Sequence, residues 1–191
     1  MRSCSPAGVG RFIALAGFFL TSPTAAQSPT AELGIDAAVQ IAIPEAGDLL
    51  TTVEVPLGRI RAGAYAGSRW LIELGVGYAL ASQSDRTASA GRADLSLAYH
   101  LGSDARRPRP FFALGGGGRV GWSDGNSIGQ ALVFGGLGIK APFDRVVALR
   151  LEVDYARAFS TPDLEAAHEI RGLVGLSFLL GAPEGGTSVR R

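Results

Sequence analysis

The sequence predicts an all-β protein, an eight-stranded antiparallel up-and-down transmembrane β-barrel preceded by a signal peptide. Apolar residues alternate with small or polar residues in eight successive segments, which is the pattern of strands with one apolar face. No segment after the first 26 residues has the run of about 18 apolar residues that a transmembrane helix needs. The connections are short and rich in turn-forming residues, which predicts consecutive antiparallel hairpins, and an even number of strands can close into a barrel.

The N-terminus has the composition of a secretory signal peptide. Arg2 and Arg11 flank a short lead, residues 12–20 are continuously apolar, and the small residues that follow end at Ala26. Nine apolar residues are too few to span a bilayer, which needs roughly 20. We therefore predict a signal peptide over 1–26, a barrel over 27–180 and a C-terminal tail over 181–191. The single cysteine, Cys4, precedes the apolar run, so the mature chain is expected to have neither disulfides nor thiolate metal sites.

The first predicted strand shows the alternation most clearly. Its odd positions, from Leu33 to Ile43, are apolar, whereas its even positions include Glu32, Asp36 and Gln40. The eight predicted strands comprise residues 32–43, 57–66, 69–81, 91–101, 110–122, 128–140, 147–159 and 169–180. In the sixth, either face is a candidate for the outside. Asp124-Gly125 is a hairpin signal, because glycine accepts the positive φ of a tight turn.

The composition of the polar faces favours a membrane barrel over a soluble one. The chain has one lysine, Lys140, whereas soluble surfaces carry many. Small residues and a few long charged ones suit the narrow interior of an eight-stranded barrel, and arginine pairs with carboxylates at fixed geometry. The predicted interior charge network comprises Arg59, Arg61, Glu73, Arg92, Asp94, Arg119, Arg150, Glu152, Asp154 and Arg171. A soluble periplasmic lipocalin-like barrel, with its apolar faces around a ligand, is the alternative fold.

The aromatic residues lie towards the ends of the predicted strands. Such positions are typical of the two aromatic girdles at the membrane interfaces of outer-membrane barrels. The predicted interface aromatics are Trp70, Tyr99, Phe112, Trp122, Tyr155 and Phe178. Phe111, Phe143 and Phe159 are further candidates, whereas Tyr78 and Phe134 fit the pattern less well.

The last strand has a recognisable end. Gly175 is followed by the alternate residues Phe178 and Leu180. In this the chain resembles the small outer-membrane β-barrels of the OmpA type, although the tail after Leu180 departs from barrels that end at this position. The resemblance covers the whole mature chain, and it implies an outer-membrane location, contact with outer-membrane lipids and recognition of the last strand by the assembly machinery.

Other chemistry has little support in the sequence. The net charge of +1 gives no basis for nucleic-acid binding. The glycine runs at 115–118 and 135–138 lack the Lys-Ser/Thr of a phosphate loop, so no cofactor is expected. His100 and His168 lack a compact arrangement with serine, which argues against an enzyme of the lipid-modifying kind. A metal site from Asp163, Glu165, His168 and Glu169 is conceivable, but we interpret these residues as a solvated loop and predict no metal.

The prediction for function is an integral outer-membrane barrel, a monomer with a plugged polar interior and a structural or surface-interaction role. Both termini are predicted to lie in the periplasm, because an even number of strands returns the chain to the side on which it began. A narrow channel for small solutes is the main alternative, and a lipid-modifying enzyme a lesser one. The sequence does not identify a ligand or a surface partner.

Overall fold

A computed structural model of the chain shows one closed barrel of eight antiparallel strands, in which each strand pairs with its neighbours in sequence and β8 pairs with β1. The structure describes residues 29–45, 50–83, 86–123, 126–162 and 165–181. The predicted signal peptide, the tail after Gly181 and the Asp124-Gly125 turn lie outside these residues. Within the described ranges, no helix is long and apolar enough to cross a membrane.

The strands differ in length and most extend further than the alternation predicts. Their bounds are β1 Ala31–Pro44, β2 Leu50–Ala66, β3 Trp70–Gln83, β4 Arg86–His100, β5 Arg109–Ser123, β6 Asn126–Pro142, β7 Val147–Ala158 and β8 Ala167–Leu180. The prediction places the start of β2 at residue 57 and treats 82–90 as a loop, and both are wrong. The ladder from Leu80↔Ser89 to Gln83↔Arg86 continues the β3–β4 hairpin through polar sequence. Backbone hydrogen bonds hold such a hairpin where no apolar face marks the strand.

The two ends of the barrel differ in what they carry. We call the end where β1 begins and β8 ends the terminal end, since Ala31 and Leu180 are register partners there. Its connections are residues 67–69, 101–108 and 143–146. We call the opposite end the loop end; it carries the β1–β2, β3–β4, β5–β6 and β7–β8 connections.

The wall of the barrel is incomplete at the loop end on one side. β2 pairs with β3 from Arg59↔Gly77 to Ala66↔Trp70. Before Arg59, residues 50–54 are the described part of β2 that pairs with β1, and none of 50–58 pairs with β3, whereas after Gly77 the described residues of β3 pair with β4 alone. We call this separation, between residues 50–58 and 78–83, the β2–β3 seam.

The apolar faces of the strands point outward. Leu74 is 53% exposed, Leu114 71% and Val153 59%, whereas the charged side chains of Arg61 and Glu73 are each 1% exposed. A soluble protein has the opposite arrangement. The apolar faces therefore do not line an internal ligand cavity, as the lipocalin-like alternative requires. In β6 the structure decides the facing: Leu132, Phe134 and Lys140 point inward.

Candidate functional site: the charged interior

The described interior is filled by ion pairs, and all ten charged residues of the predicted network lie in it. Eight of them are buried, and Arg92 and Arg119 are partly exposed. The described interior also contains residues that the prediction omits, among them Glu32, Asp36, Tyr65, His100, Arg109, Gln130, Lys140 and Glu169. Several of these lie on the polar faces of the predicted strands. Their membership in the network depends on which strands face one another across the lumen.

Arg61 is the most fully bonded side chain of the central network. Its Nε and Nη2 donate to both carboxylate oxygens of Asp36, at 2.6 and 3.0 Å. Its Nη1 donates to Glu32 at 3.1 Å and to Glu73 at 2.9 Å. Nη2 also donates to the hydroxyl of Ser177 at 3.2 Å. These bonds use all five N–H groups of a guanidinium, so burial leaves none of its donors unsatisfied.

Arg150 connects two sides of the barrel at the height of Arg61, because both side chains bond to Glu73. Its Nη1 lies 2.8 Å from Glu73 Oε2, and its Nε lies 2.7 Å from Glu152 Oε2. The guanidinium also lies 4.7 Å from the ring centroid of Phe111, a cation–π contact. Arg59 completes this level, because it contacts Asp94 and lies 3.7 Å from Glu73.

The loop-end cluster is centred on Phe134 and Glu169. The Phe134 ring lies 5.3 Å from the guanidinium of Arg92 and 5.7 Å from that of Arg171. Arg119 contacts Glu169 and donates to Gln130 at 2.9 Å. Arg171 donates to Asp154. Arg92 and Arg119 are register partners on β4 and β5 and face the same carboxylate.

The terminal-end cluster surrounds the ring of Tyr65. Lys140 contacts Glu32 and donates to the Tyr65 hydroxyl at 3.2 Å, and that hydroxyl donates to Glu32 at 2.8 Å. The His100 ring lies 5.8 Å from the Tyr65 ring and 5.5 Å from the Phe111 ring. Phe111 is therefore an interior residue, 2% exposed, and its prediction as an interface aromatic is wrong. The two adjacent phenylalanines occupy alternate faces of β5, so only Phe112 points to lipid.

The six predicted interface aromatics lie on the outward face. Trp70, Tyr99 and Phe112 are successive register partners towards the terminal end, and Phe178 lies towards the same end on β8. Trp122 and Tyr155 lie towards the loop end. Phe112 and Trp122 are both on β5, ten residues apart. Ten residues of a strand tilted by about 40° rise about 25 Å, which is the height of the apolar band of an outer-membrane barrel.

A polar group lies on the outer surface at the loop end. Arg157 contacts His168 Nε2 and Glu45, and His168 Nδ1 contacts the Tyr155 hydroxyl. Because Arg157 donates to Nε2, the proton of a neutral His168 is on Nδ1, which donates to Tyr155. The hydrogen bond and charge of Arg157 lower the pKa of Glu45 below its usual value.

No catalytic or metal constellation is found in the described part of the chain. His100 Nδ1 donates to the carbonyl of Arg69 at 3.1 Å, and His168 contacts Tyr155 and Arg157, so neither histidine is paired with a serine hydroxyl. Glu169 points into the lumen, whereas its neighbour His168 contacts the outward-facing Tyr155, so the two do not share a metal ion. The described residues contain no cluster of three or more potential metal ligands.

Comparison with solved structures identifies the fold. Neisserial surface protein A matches with a TM-score of 0.64 and 13% identity, over 78% of this chain and 97% of that one. The N-terminal β-barrel domain of Pseudomonas aeruginosa OprF matches with a TM-score of 0.53 and 14% identity, over 79% and 98%. Ail, the attachment invasion locus protein of Yersinia pestis, gives 0.52 and 11%, also over 79% and 98%.

These likenesses concern the fold, since the sequences have diverged far. No protein-family model and no curated protein matches the sequence. The predicted fold class is confirmed: the chain is an eight-stranded antiparallel β-barrel of the outer-membrane type. With its apolar exterior and charged interior, it is located in the outer membrane.

Proposed function

We propose that this outer-membrane barrel has a lumen closed to solutes and acts as a structural or surface-interaction protein through its loop end. The observation that supports the proposal is that charged side chains of non-adjacent strands meet across the lumen at several heights. Lys140 contacts Glu32 near the terminal end, Arg150 bonds to Glu73 at the centre, and Arg119 contacts Glu169 near the loop end. An interior filled by paired side chains leaves no wide aqueous path.

The surface role extends this proposal to the loop end. Two of the proteins that share the fold are named as a surface protein and as an attachment invasion locus protein. In this chain, exposed polar side chains at the loop end, such as Glu165, would face a partner outside the cell in the predicted orientation. We further propose that the protein is a monomer in contact with outer-membrane lipids.

Conductance in a planar bilayer tests the closed lumen. The unmodified protein is expected to give no steps above the background of the bilayer. The double variant Arg150→Ala/Glu152→Ala removes an interior ion pair at constant net charge and is expected to give small steps. The matched control Arg107→Ala/Asp104→Ala removes an exposed pair and is expected to stay silent. If the unmodified protein conducts as much as the interior variant, the lumen is not closed.

A narrow channel is the second candidate, and the β2–β3 seam favours it. Unpaired strand edges are excluded from lipid unless they border water or protein, so the seam is a place where water can reach the interior from the side. Swelling of vesicles that contain the protein, in an isotonic solution of a small sugar, distinguishes the two functions. Rapid swelling supports the channel, and vesicles that keep their volume support the closed barrel.

A further inference from the structure

Arg109 is a buried cation without a carboxylate partner among the described residues. It is 2% exposed, and its Nη1 donates to the Ser68 carbonyl at 3.4 Å. Its guanidinium lies 5.9 Å from the centroid of the Tyr65 ring, and its Nη2 has no hydrogen-bond partner in the described part of the chain. The other buried cations of the interior, Arg59, Arg61, Lys140, Arg150 and Arg171, each contact a carboxylate. Burial of an unpaired charge is unfavourable, and no carboxylate among the described residues offsets Arg109 at this opening of the barrel, which we call the terminal-end mouth.

The surroundings of Arg109 add positive charge. Lys140 is its register partner on β6, and like charges at such positions repel. Lys140 Nζ lies 5.7 Å from the Tyr65 ring, so both cations contact the same aromatic ring. The carboxylate at this level is that of Glu32, which already accepts bonds from Arg61, Lys140 and Tyr65. Glu32 is therefore already shared by three donors, and no ion pair between it and Arg109 is found among the described residues.

His100 supplies an unsatisfied polar atom at the same mouth. Its Nδ1 faces the Arg69 carbonyl, which only accepts, so Nδ1 carries a proton. Its Nε2 is buried and has no hydrogen-bond partner within the described ranges, and the side chain is fully enclosed. The His100 ring lies beside the rings of Tyr65 and Phe111, and Arg109 and Lys140 both lie over that Tyr65 ring. An unpartnered arginine donor and an unpartnered histidine nitrogen thus belong to one cluster.

We propose that the terminal-end mouth of the barrel binds an oxyanion of the phosphate class between Arg109 and His100. A bound water satisfies hydrogen bonds but leaves the positive charge uncompensated. A phosphate group provides both hydrogen-bonding oxygens and a negative charge. A singly protonated phosphate accepts from Arg109 Nη2 and donates to His100 Nε2, so the histidine need not be charged. The exposed Arg106 at the same rim attracts anions to the mouth. The site is independent of the closed-lumen proposal.

Calorimetric titration of inorganic phosphate into the folded protein in a zwitterionic detergent, at constant ionic strength with chloride, tests the site. Saturable binding is expected for the unmodified protein. Arg109→Gln should weaken it by about tenfold or more, since a charged hydrogen bond is lost, and His100→Phe should also weaken it. The control is Arg107→Gln, which removes an exposed cation of the same connection and should leave the affinity within about twofold.

Two results would overturn the proposal: no saturable binding of phosphate by the unmodified protein, or the same affinity in Arg109→Gln. The change in gel mobility on boiling verifies that each variant has folded, and if Arg109→Gln does not fold, His100→Phe provides the comparison by the same criterion. Repeating the titration in phosphatidylcholine bilayers with and without phosphatidylglycerol identifies the source of the anion. Equal binding indicates free phosphate, and competition by phosphatidylglycerol indicates a phospholipid headgroup.

Discussion

Arg150 and Glu73 join opposite walls of the barrel, with 2.8 Å between Nη1 and Oε2. They lie on β7 and β3, which are four strands apart in a ring of eight. Glu73 also accepts from Arg61 at 2.9 Å, so one carboxylate compensates two buried guanidiniums. Ion pairs of this kind act as ties across the lumen, and their removal should weaken the barrel as a whole.

Glu73→Gln should lower the free energy of unfolding by about 3–5 kcal/mol, because it leaves Arg61 and Arg150 buried with less counter-charge. Urea unfolding of the barrel in lipid vesicles, followed by tryptophan fluorescence, measures the change. Asp104→Asn removes the same kind of contact where it is exposed, at Arg107, and should cost no more than about 1 kcal/mol. Equal effects of the two substitutions would contradict the role of the interior pair.

Gly115→Ala should destabilise the barrel by about 1–3 kcal/mol through overpacking. A Cβ at this position would lie 2.5 Å from the Phe134 ring and 2.6 Å from the carbonyl oxygen of Leu95, and the backbone cannot move away easily. Gly121→Ala, on the same strand, is the control, since its Cβ would meet nothing within 4 Å. The same urea titration compares them, and an equally stable Gly115→Ala would mean that Phe134 has room to move.

The contact between Glu45 and Arg157 should depend on pH. Arg157 lowers the pKa of Glu45, so the contact stabilises the folded loop end above the pKa of the unfolded chain and is lost as the pH falls through the lower, folded value. In Arg157→Gln, the pKa of Glu45 should rise towards its usual value, as measured by NMR titration of its side-chain carboxyl carbon.

Asp144 is an internal control for this titration. Its pKa is lowered by the backbone N–H groups of Val146 and Val147 rather than by a cation. It should therefore stay low in Arg157→Gln. A Glu45 pKa that does not change in this variant would show that the contact with Arg157 does not form in solution.

Labelling of single cysteines tests the predicted orientation, with the termini in the periplasm. Glu165→Cys is at the loop end and Arg106→Cys at the terminal end, and both positions are exposed. A membrane-impermeant maleimide should label the first in intact cells and the second only after the outer membrane is permeabilised. The unmodified protein controls for Cys4, which lies in the predicted signal peptide. The reverse pattern would place the loop end in the periplasm.

Phe178→Gln tests the proposal that assembly machinery recognises the last strand. Phe178 on β8 and Phe112 on β5 are both outward-facing aromatics towards the terminal end. Phe178→Gln should reduce the amount of assembled barrel in cells more than Phe112→Gln does. Refolding of the two variants into vesicles, without the machinery, should be similar. An equal loss in cells would indicate that only the contact with lipid matters.

Several features of the fold could be predicted from alternation alone. The period-2 pattern of β1 and β7 decides which residues face lipid, because a strand with one apolar face has one favourable orientation in a membrane. In β6, small residues occupy both faces, so the pattern carries no preference and the register with β5 and β7 decides. The loop-end part of the β3–β4 hairpin has no apolar face, and backbone pairing alone makes it a strand.

Prediction of the interior was less complete for a physical reason. The polar face of each strand identifies which residues enter the lumen, and Arg61, Glu73 and Arg150 are recognised in this way. The predicted network omits Glu32 and Lys140 because their roles depend on each other. They are distant in sequence and meet across the lumen. Phe111 is misassigned because aromatic character alone does not distinguish a residue of the lumen from one of the interface.

The sequence by itself determined the number of strands, the antiparallel order and the inversion of apolar and polar faces, since each depends on local patterns and short connections. Only the tertiary structure decided which charges meet, that Arg109 has no carboxylate partner among the described residues, and that β2 and β3 separate at the seam. These features depend on the tilt and stagger with which the closed barrel brings distant strands opposite one another. No local pattern encodes that geometry, because it is a property of closure.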